Sequence, residues 1–178
     1  MRPDVGAVGA KLYYPDDRIQ HAGVILGLGG IAGHGHKHLP RQAQGYFGQL
    51  MLPHNVSAVT AACLMLRKQV FFEVGGFDET YAVAFGDVDL CLIILQKGYL
   101  NIWTPFADLY HYESKTRGFE DSAEKQNRFK KEVAHFMRKW ARQLEEGDPY
   151  FNPNLNLKAE NFSFNPNPVD ISVRIKRI

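Results

Sequence analysis

The 178 residues are 45% hydrophobic and 12% aromatic, with a net charge of +2. That length suits one domain with a sizeable core, and the near-neutral balance lacks the concentrated basic patch that nucleic-acid binding calls for. No apolar run approaches the ~18 residues of a membrane span and no signal-peptide pattern opens at Met1, so a soluble, cytoplasmic protein is expected.

In chain order, Val5 to Tyr14 alternates small and apolar residues and predicts a strand ending at the turn signal Pro15-Asp16-Asp17. It contains G-x-x-G spacing, but no helix follows, which argues against a dinucleotide fingerprint. Gln20-His21-Ala22-Gly23 runs into Val24-Ile25-Leu26 as a second short strand, and nothing in it is assigned a catalytic role. His34, His36 and His38 could share one face of an extended segment. With no acid or cysteine beside them and glycines around them, a loop is preferred to a metal trio. Gln42 to Leu52 reads as a loop or lid. Asn55 to Arg67 passes from a small-residue turn into a buried strand. Lys68 to Val74 predicts a short helix with Val70 and Phe71 inward, stopped by Gly75-Gly76. Cys63 and Cys91 both lie in apolar runs and read as free thiols in a reducing compartment.

Val74 to Gly118 concentrates acids, a histidine and an arginine where two elements begin and one ends, which is where α/β proteins place chemistry. Asp87 and Asp89 follow Gly86 and open a largely apolar run from Leu90 to Leu95, closed by Lys97 and Gly98. Acids in the first turn, a cation in the last and glycine just beyond are the signals of one buried helix. Taken by itself, Asp87 reads as the N-cap, worth ~1 kcal/mol. Tyr99 to Thr104 predicts a short strand stopped by Pro105, and a second, Ala107 to Tyr110, delivers His111 to its end. A helix start and a strand end can then face one cleft. An imidazole beside a carboxylate suits metal binding or proton transfer there, although a lone histidine is more often structural.

Asp121 with Glu124 resembles a capping pair. Phe129, Val133, Phe136, Met137, Trp140 and Leu144 follow as a stripe at helical spacing, opposite Lys125, Lys130, Lys131, Arg138 and Arg142. Packing against the domain is the simpler reading of that stripe; peripheral contact with anionic lipid at the inner membrane face, or with a partner helix, is the sharper one. After Gly147-Asp148-Pro149 the chain becomes rich in asparagine and proline, predicting an extended tail pinned by Tyr150, Phe151, Phe162 and Phe164. The organisation expected is an α/β unit over 1–118, an amphipathic helix over 119–147 and an extended tail over 148–178.

Three motifs form a linked series: G-G-F-D-E at 75–79, D-x-D-L at 87–90, and P-x-A-x-L-x-H-x-E-S-x-x-R-G at 105–118. Together they resemble the C-terminal half of a family 2 glycosyltransferase with the GT-A fold. The likeness runs from about Pro3 to Gly118, and both Q-H-A-G at 20–23 and N-P-N-L at 152–155 fit the same group. It implies a partial GT-A, nucleotide-diphospho-sugar transferase-like mixed sheet flanked by helices. In its terms Asp87 matches the general base that takes the proton from an acceptor hydroxyl during inverting attack on the sugar C1, a task needing only a positioned carboxylate of suitable pKa. The first acid of the family's pair is replaced by Gly86, and Asp89 becomes structural. His111 matches a histidine that completes the coordination of Mn2+ or Mg2+ on the donor diphosphate. Ser114, Lys115 and Arg117 fit a loop that closes over the phosphates, where a planar guanidinium suits oxyanions. Without the family match that loop is as well read as a solvated turn ended by Gly118. Thr60 and Gly76 belong with the substrate-binding set. Asp78 joins it as a ligand for a sugar hydroxyl, its plainer role being a turn cap.

Enzymes of this kind begin with a nucleotide-binding half that ends in a metal-binding D-x-D motif, and the resemblance places that half before Met1. The chain is therefore expected to be the acceptor-side part of a larger enzyme of polysaccharide biosynthesis and inactive alone. Its partners would be a nucleotide-sugar donor and a glycan, lipid-linked or protein acceptor. Two other classes remain open: a non-catalytic carbohydrate-binding or scaffolding module, indifferent to metal, and a metal-dependent hydrolase using water as acceptor.

Overall fold

A computed structural model describes residues 2–112 and 122–167. Among them, the strand β1 (Val5–Tyr13) is the centre of a mixed five-stranded sheet. It pairs in parallel with β7 (Leu100–Tyr110) on one side. On the other side it pairs antiparallel with β2 (Ile19–His21) and β6 (Leu64–Leu66), while β5 (His54–Asn55) adds antiparallel to β7. The helix α1 (Lys68–Glu73) follows β6, and α2 (Gly86–Gln96) leads into β7; α3 (Ala123–Lys139) and α4 (Ala141–Glu146) come after the sheet. A separate two-stranded ladder joins β3 (Val24–Leu26) to β4 (Ala32–His34).

The glycines of β1 serve close approach. A Cβ on Gly6 would come within 2.4 Å of Ile94 on α2, and one on Gly9 within 2.4 Å of Val59. Burial on both faces is what a strand in a parallel pair experiences, and it explains the small residues of V-G-A-V-G-A in a strand followed by β2 and not by a helix.

Pro105 does not stop a strand, as the sequence reading had it. The two stretches predicted at Tyr99–Thr104 and Ala107–Tyr110 merge into the single strand β7, which starts at Leu100 and whose pairing with β1 passes from Ala10↔Thr104 directly to Lys11↔Asp108. The intervening Pro105, Phe106 and Ala107 are left out of the ladder. Proline has no N–H to donate, so the chain interrupts the pairing locally and then resumes it. The consequence is that His111 emerges beside Tyr13, whose carbonyl accepts the His111 amide at 2.9 Å.

Two further readings change. Gly23, at φ +89°, breaks Gln20–Leu26 into β2 of the main sheet and β3 of the small one. The buried part of Asn55–Arg67 is Val56 to Val59, after which Thr60 caps a 3-10 turn over Ala61–Cys63 and β6 is only half-buried. The α1 helix and its Gly75-Gly76 stop are as read, both glycines having positive φ.

Trp103, Leu90, Ile94, Val59 and Phe136 meet in one core. Ser122 caps α3 by accepting the Lys125 amide at 3.2 Å; the pairing of Asp121 with Glu124 lies outside the described residues. The α3 stripe is only partly covered: Phe136 and Trp140 are buried, whereas Phe129 and Met137 remain exposed. Glu132, an acid beside that stripe, is buried because its carboxylate accepts three successive amides, those of Ala82, Val83 and Ala84, at 3.0, 3.1 and 3.0 Å. Glu132→Ala should therefore cost on the order of 2–3 kcal/mol, the scale of losing charge-assisted bonds and stranding their donors. Urea unfolding of the variant is the check; a loss under about 0.5 kcal/mol, as for an ordinary surface change, would refute it.

The tail folds back rather than trailing away. Asp148 accepts the Leu26 amide at 2.6 Å, and the Gly29 amide donates to Leu157 at 2.9 Å. Phe162 stacks on His36 at 4.1 Å and on Tyr46 at 5.4 Å, while Phe164 stays exposed. No helix among the described residues is long and apolar enough to cross a membrane.

Candidate functional site

Asp87 is not the N-cap. Phe85 holds that position in the left-handed region at φ 66°, which puts Gly86 first and Asp87 second in α2. Its carboxylate receives two backbone donors, the Ala61 amide at Oδ2 and its own Val88 amide at Oδ1, each at 2.9 Å. These bonds and the helix N-terminus orient a partly exposed anion, and each oxygen still has lone-pair capacity for an incoming proton. The other acid, Asp89, points inward and is fully buried. It accepts from Trp140 Nε1 at 2.8 Å and pairs with Lys139 at 2.8 Å, tying α2 to the junction of α3 and α4.

From Ala61 the contacts continue. Thr60, the preceding residue, donates its amide to His21 Nε2 at 3.4 Å. His21 Nδ1 lies 2.8 Å from His34 Nδ1, joining β2 to β4. Gln20, next to His21, has its side-chain Oε1 2.7 Å from His111 Nδ1 and its Nε2 3.3 Å from the His111 carbonyl. Because the Gln20 amide nitrogen must donate to that carbonyl, its oxygen accepts from Nδ1–H, so the neutral tautomer of His111 has its ring lone pair on Nε2. Asp87, Thr60 and His111 are thus linked by hydrogen bonds joined through two stretches of neighbouring residues, Thr60–Ala61 and Gln20–His21. Q-H-A-G supplies the middle of this path, and the sequence reading assigned that segment no role. The only signal that could have drawn attention to Gln20 and His21 was a pair of polar residues inside an otherwise apolar strand.

The His34, His36, His38 trio does not form. His36 and His38 have positive φ, which turns the three rings apart. His34 meets His21, His36 Nε2 accepts the Tyr46 amide at 3.0 Å, and His38 stacks on Tyr14 at 5.2 Å. Among the described residues no group of three or more histidine, cysteine or acidic side chains could hold a metal.

Asp78 is engaged by protein groups. It accepts the Thr80 amide at 3.0 Å and pairs with Lys139 at 3.0 Å and His135 at 3.3 Å. The Thr80 hydrogen bonds, then Lys139, hold its carboxyl well below the usual carboxylate range. Gly76 lies against the Phe71 ring, at φ +73°. Ser114, Lys115 and Arg117 lie outside the described residues.

Burial pushes the His36 imidazole down to about 4, and it also holds His21 well below its ordinary value of 6.5, His34 being the second cause for His21. An unfolded histidine takes up its proton near ~6.5. Between 6.5 and about 4 the unfolded chain therefore binds more protons than the folded one, and stability should fall as pH falls through that window. His36 gives a slope of up to about 1 kcal/mol per pH unit in that window, and His21 adds to it in the same direction. Urea midpoints measured from pH 7 downward test this, and a flat profile would show that both rings protonate within the fold.

No family model matches the chain. It is 55% identical over 163 residues to the uncharacterized protein y4gI of Sinorhizobium fredii, covering 91% of this chain and 18% of that protein. It is 38% identical over 171 residues to the O-antigen biosynthesis protein RfbC of Myxococcus xanthus, covering 96% of this chain and 13% of that one. Over 63 residues it is 35% identical to the N-acetylglucosaminyl-diphospho-decaprenol L-rhamnosyltransferase of Mycobacterium tuberculosis, covering 35% of this chain and 20% of that enzyme. The chain thus spans a fifth or less of the length of these relatives. The two names that carry a function support a glycosyltransferase-like kinship and a general setting of sugar transfer in polysaccharide synthesis.

Proposed function

We propose that the chain is the acceptor-side half of an inverting glycosyltransferase of family 2, built on part of a GT-A fold, and that it works within a longer protein. The observation that carries this reading is the placement of Asp87: a carboxylate at a helix start, aimed by the Ala61 and Val88 amides and linked through Thr60, His21 and Gln20 to His111. In the reaction an acceptor hydroxyl attacks the sugar C1, its proton passes to Asp87, and the C1–O bond to the diphosphate breaks. Asp87 ends protonated and the nucleoside diphosphate leaves with the bonding electrons.

The residues present fit a Mn2+ or Mg2+ to the extent of one ligand. His111 donates Nδ1–H to a carbonyl oxygen and offers Nε2, the arrangement usual for a metal-binding imidazole. The remaining ligands would come from a D-x-D motif outside this chain. When bound, such an ion neutralises charge on the leaving diphosphate. Thr60, Gly76, Asp78, Ser114, Lys115 and Arg117 complete the proposed substrate-binding set. Asp78 would have to exchange protein partners to serve in it. The donor is a nucleotide sugar and the acceptor a glycan, lipid-linked or protein hydroxyl, approached from the cytoplasmic side of the inner membrane.

The test uses the longer protein with a panel of UDP-, GDP- and dTDP-sugars. The expected result is nucleoside diphosphate release that depends on a glycan or lipid-linked acceptor and requires divalent metal, with the 178-residue chain alone binding no nucleotide sugar tightly. Release with water as the sole acceptor would favour hydrolysis instead. Metal-independent glycan binding indifferent to Asp87→Asn would favour a binding module.

A further inference from the structure

The histidine pair at the middle of the path has a determinate proton arrangement. The Thr60 amide can only donate, so His21 Nε2 is the acceptor and carries no hydrogen. A neutral His21 must then hold its proton on Nδ1, facing His34 Nδ1 at 2.8 Å. Two N–H groups cannot point at each other across that distance, so His34 Nδ1 is bare and the His34 proton sits on Nε2. The rings meet edge to face, 81° apart, with centroids 4.9 Å from each other. His21 is 1% exposed, and so water does not compete for this bond.

The pair sits one residue from the turn that holds Asp87. His21 fixes the Thr60 amide; the Thr60 hydroxyl accepts the Ala62 amide at 3.4 Å and so shapes the turn; the Ala61 amide between them binds Asp87. Four elements are coupled by three bonds, with β4 at the far end. A phenylalanine of similar size could fill the space of either ring, but it could not set the direction of the Thr60 amide.

We propose that His21 and His34 are positioning residues for Asp87: a single proton held between their Nδ1 atoms locks His21 as an acceptor, and this orients the Thr60–Ala61 turn that aims the carboxylate. This assignment rests on the reading of Asp87 as the base for its catalytic meaning, but its structural content stands on the three contacts alone. Neither histidine touches the reacting atoms.

The test begins with the unmodified 178-residue chain, labelled with 15N on histidine and on backbone amides. The expected spectrum has His21 as the Nδ1–H tautomer and His34 as the Nε2–H tautomer at pH 7. His21 found with its proton on Nε2 overturns the proposal without any variant being made. Next, His34→Phe should shift the Thr60 and Ala61 amide signals, while His34→Asn, whose Oδ1 can accept in place of Nδ1, should restore them. Unmoved Thr60 and Ala61 signals in a folded His34→Phe chain also overturn it. In the longer enzyme His34→Phe should lower kcat about tenfold or more with the donor KM unchanged, the pattern of a misaimed base, and His34→Asn should recover it. An unmodified enzyme that transfers no sugar would count against the glycosyltransferase reading, and the spectra would still decide the positioning.

Discussion

Asp87→Asn should lower kcat of the longer enzyme by about 10²–10⁴-fold, the usual contribution of a general base. The substitution isolates chemistry from architecture. Asparagine keeps a carbonyl oxygen that can accept the Ala61 amide, and the residue is partly exposed at a helix start, so little packing changes. Loss of the Val88 contact and of the charge at the helix N-terminus should cost only about 1 kcal/mol. The donor KM should stay nearly constant, because the carboxylate acts on the acceptor proton. Measuring kcat, KM and the unfolding midpoint on the same preparation settles it. Turnover within threefold of the unsubstituted enzyme would remove Asp87 from the mechanism, and a collapse of stability would return it to a structural role.

The other large effect expected is on folding. Asp89→Ala should destabilise the chain by about 3–5 kcal/mol, the cost of removing one partner from a buried ion pair. Asp89 is 0% exposed and is the acceptor of both the Trp140 indole N–H and the Lys139 ammonium. Without it the indole donor is stranded in the core, which alone costs about 1–3 kcal/mol. Lys139 retains Asp78, so that cation is not left wholly unpaired. Asp78→Ala should cost less, because its side chain is 25% exposed and Asp89 still holds Lys139. Equal losses in the two variants would mean that the buried pair has no special weight in joining α2 to α3 and α4. Guanidinium unfolding followed by the fluorescence of the two buried tryptophans, Trp103 and Trp140, reads both.

The two acids, two residues apart at one helix start, show how far a local pattern reaches. D-x-D-L before an apolar run and K-G specifies a helix, and the Lys97-Gly98 stop lies where the pattern puts it, because those signals act within a few residues. The same pattern cannot tell which acid faces the core, since successive residues near a helix start differ by about 100° and only the neighbouring elements fix the sides. Pro105 teaches the converse. Proline's missing N–H predicts a stop, but the stretches on either side both pair with β1, and long-range pairing outweighs one missing donor.

By itself the sequence determined the elements whose causes are local: β1 and its ending turn, the two helices around Gly75 and Gly98, the stripe of α3, and the recurrence of Asp87 and His111 at element ends. It also carried the likeness to sugar-transferring proteins, through motifs that persist as short strings. Only the tertiary structure decided that Gln20 and His21 stand between Thr60 and His111 with His34 paired to His21, that Glu132 and Asp89 are buried acceptors, and that the asparagine-rich tail folds back over β3. These are contacts between residues tens of positions apart. Each depends on the sheet and helices closing first, and a buried polar side chain reveals its purpose only once its distant partner has been brought within hydrogen-bond reach.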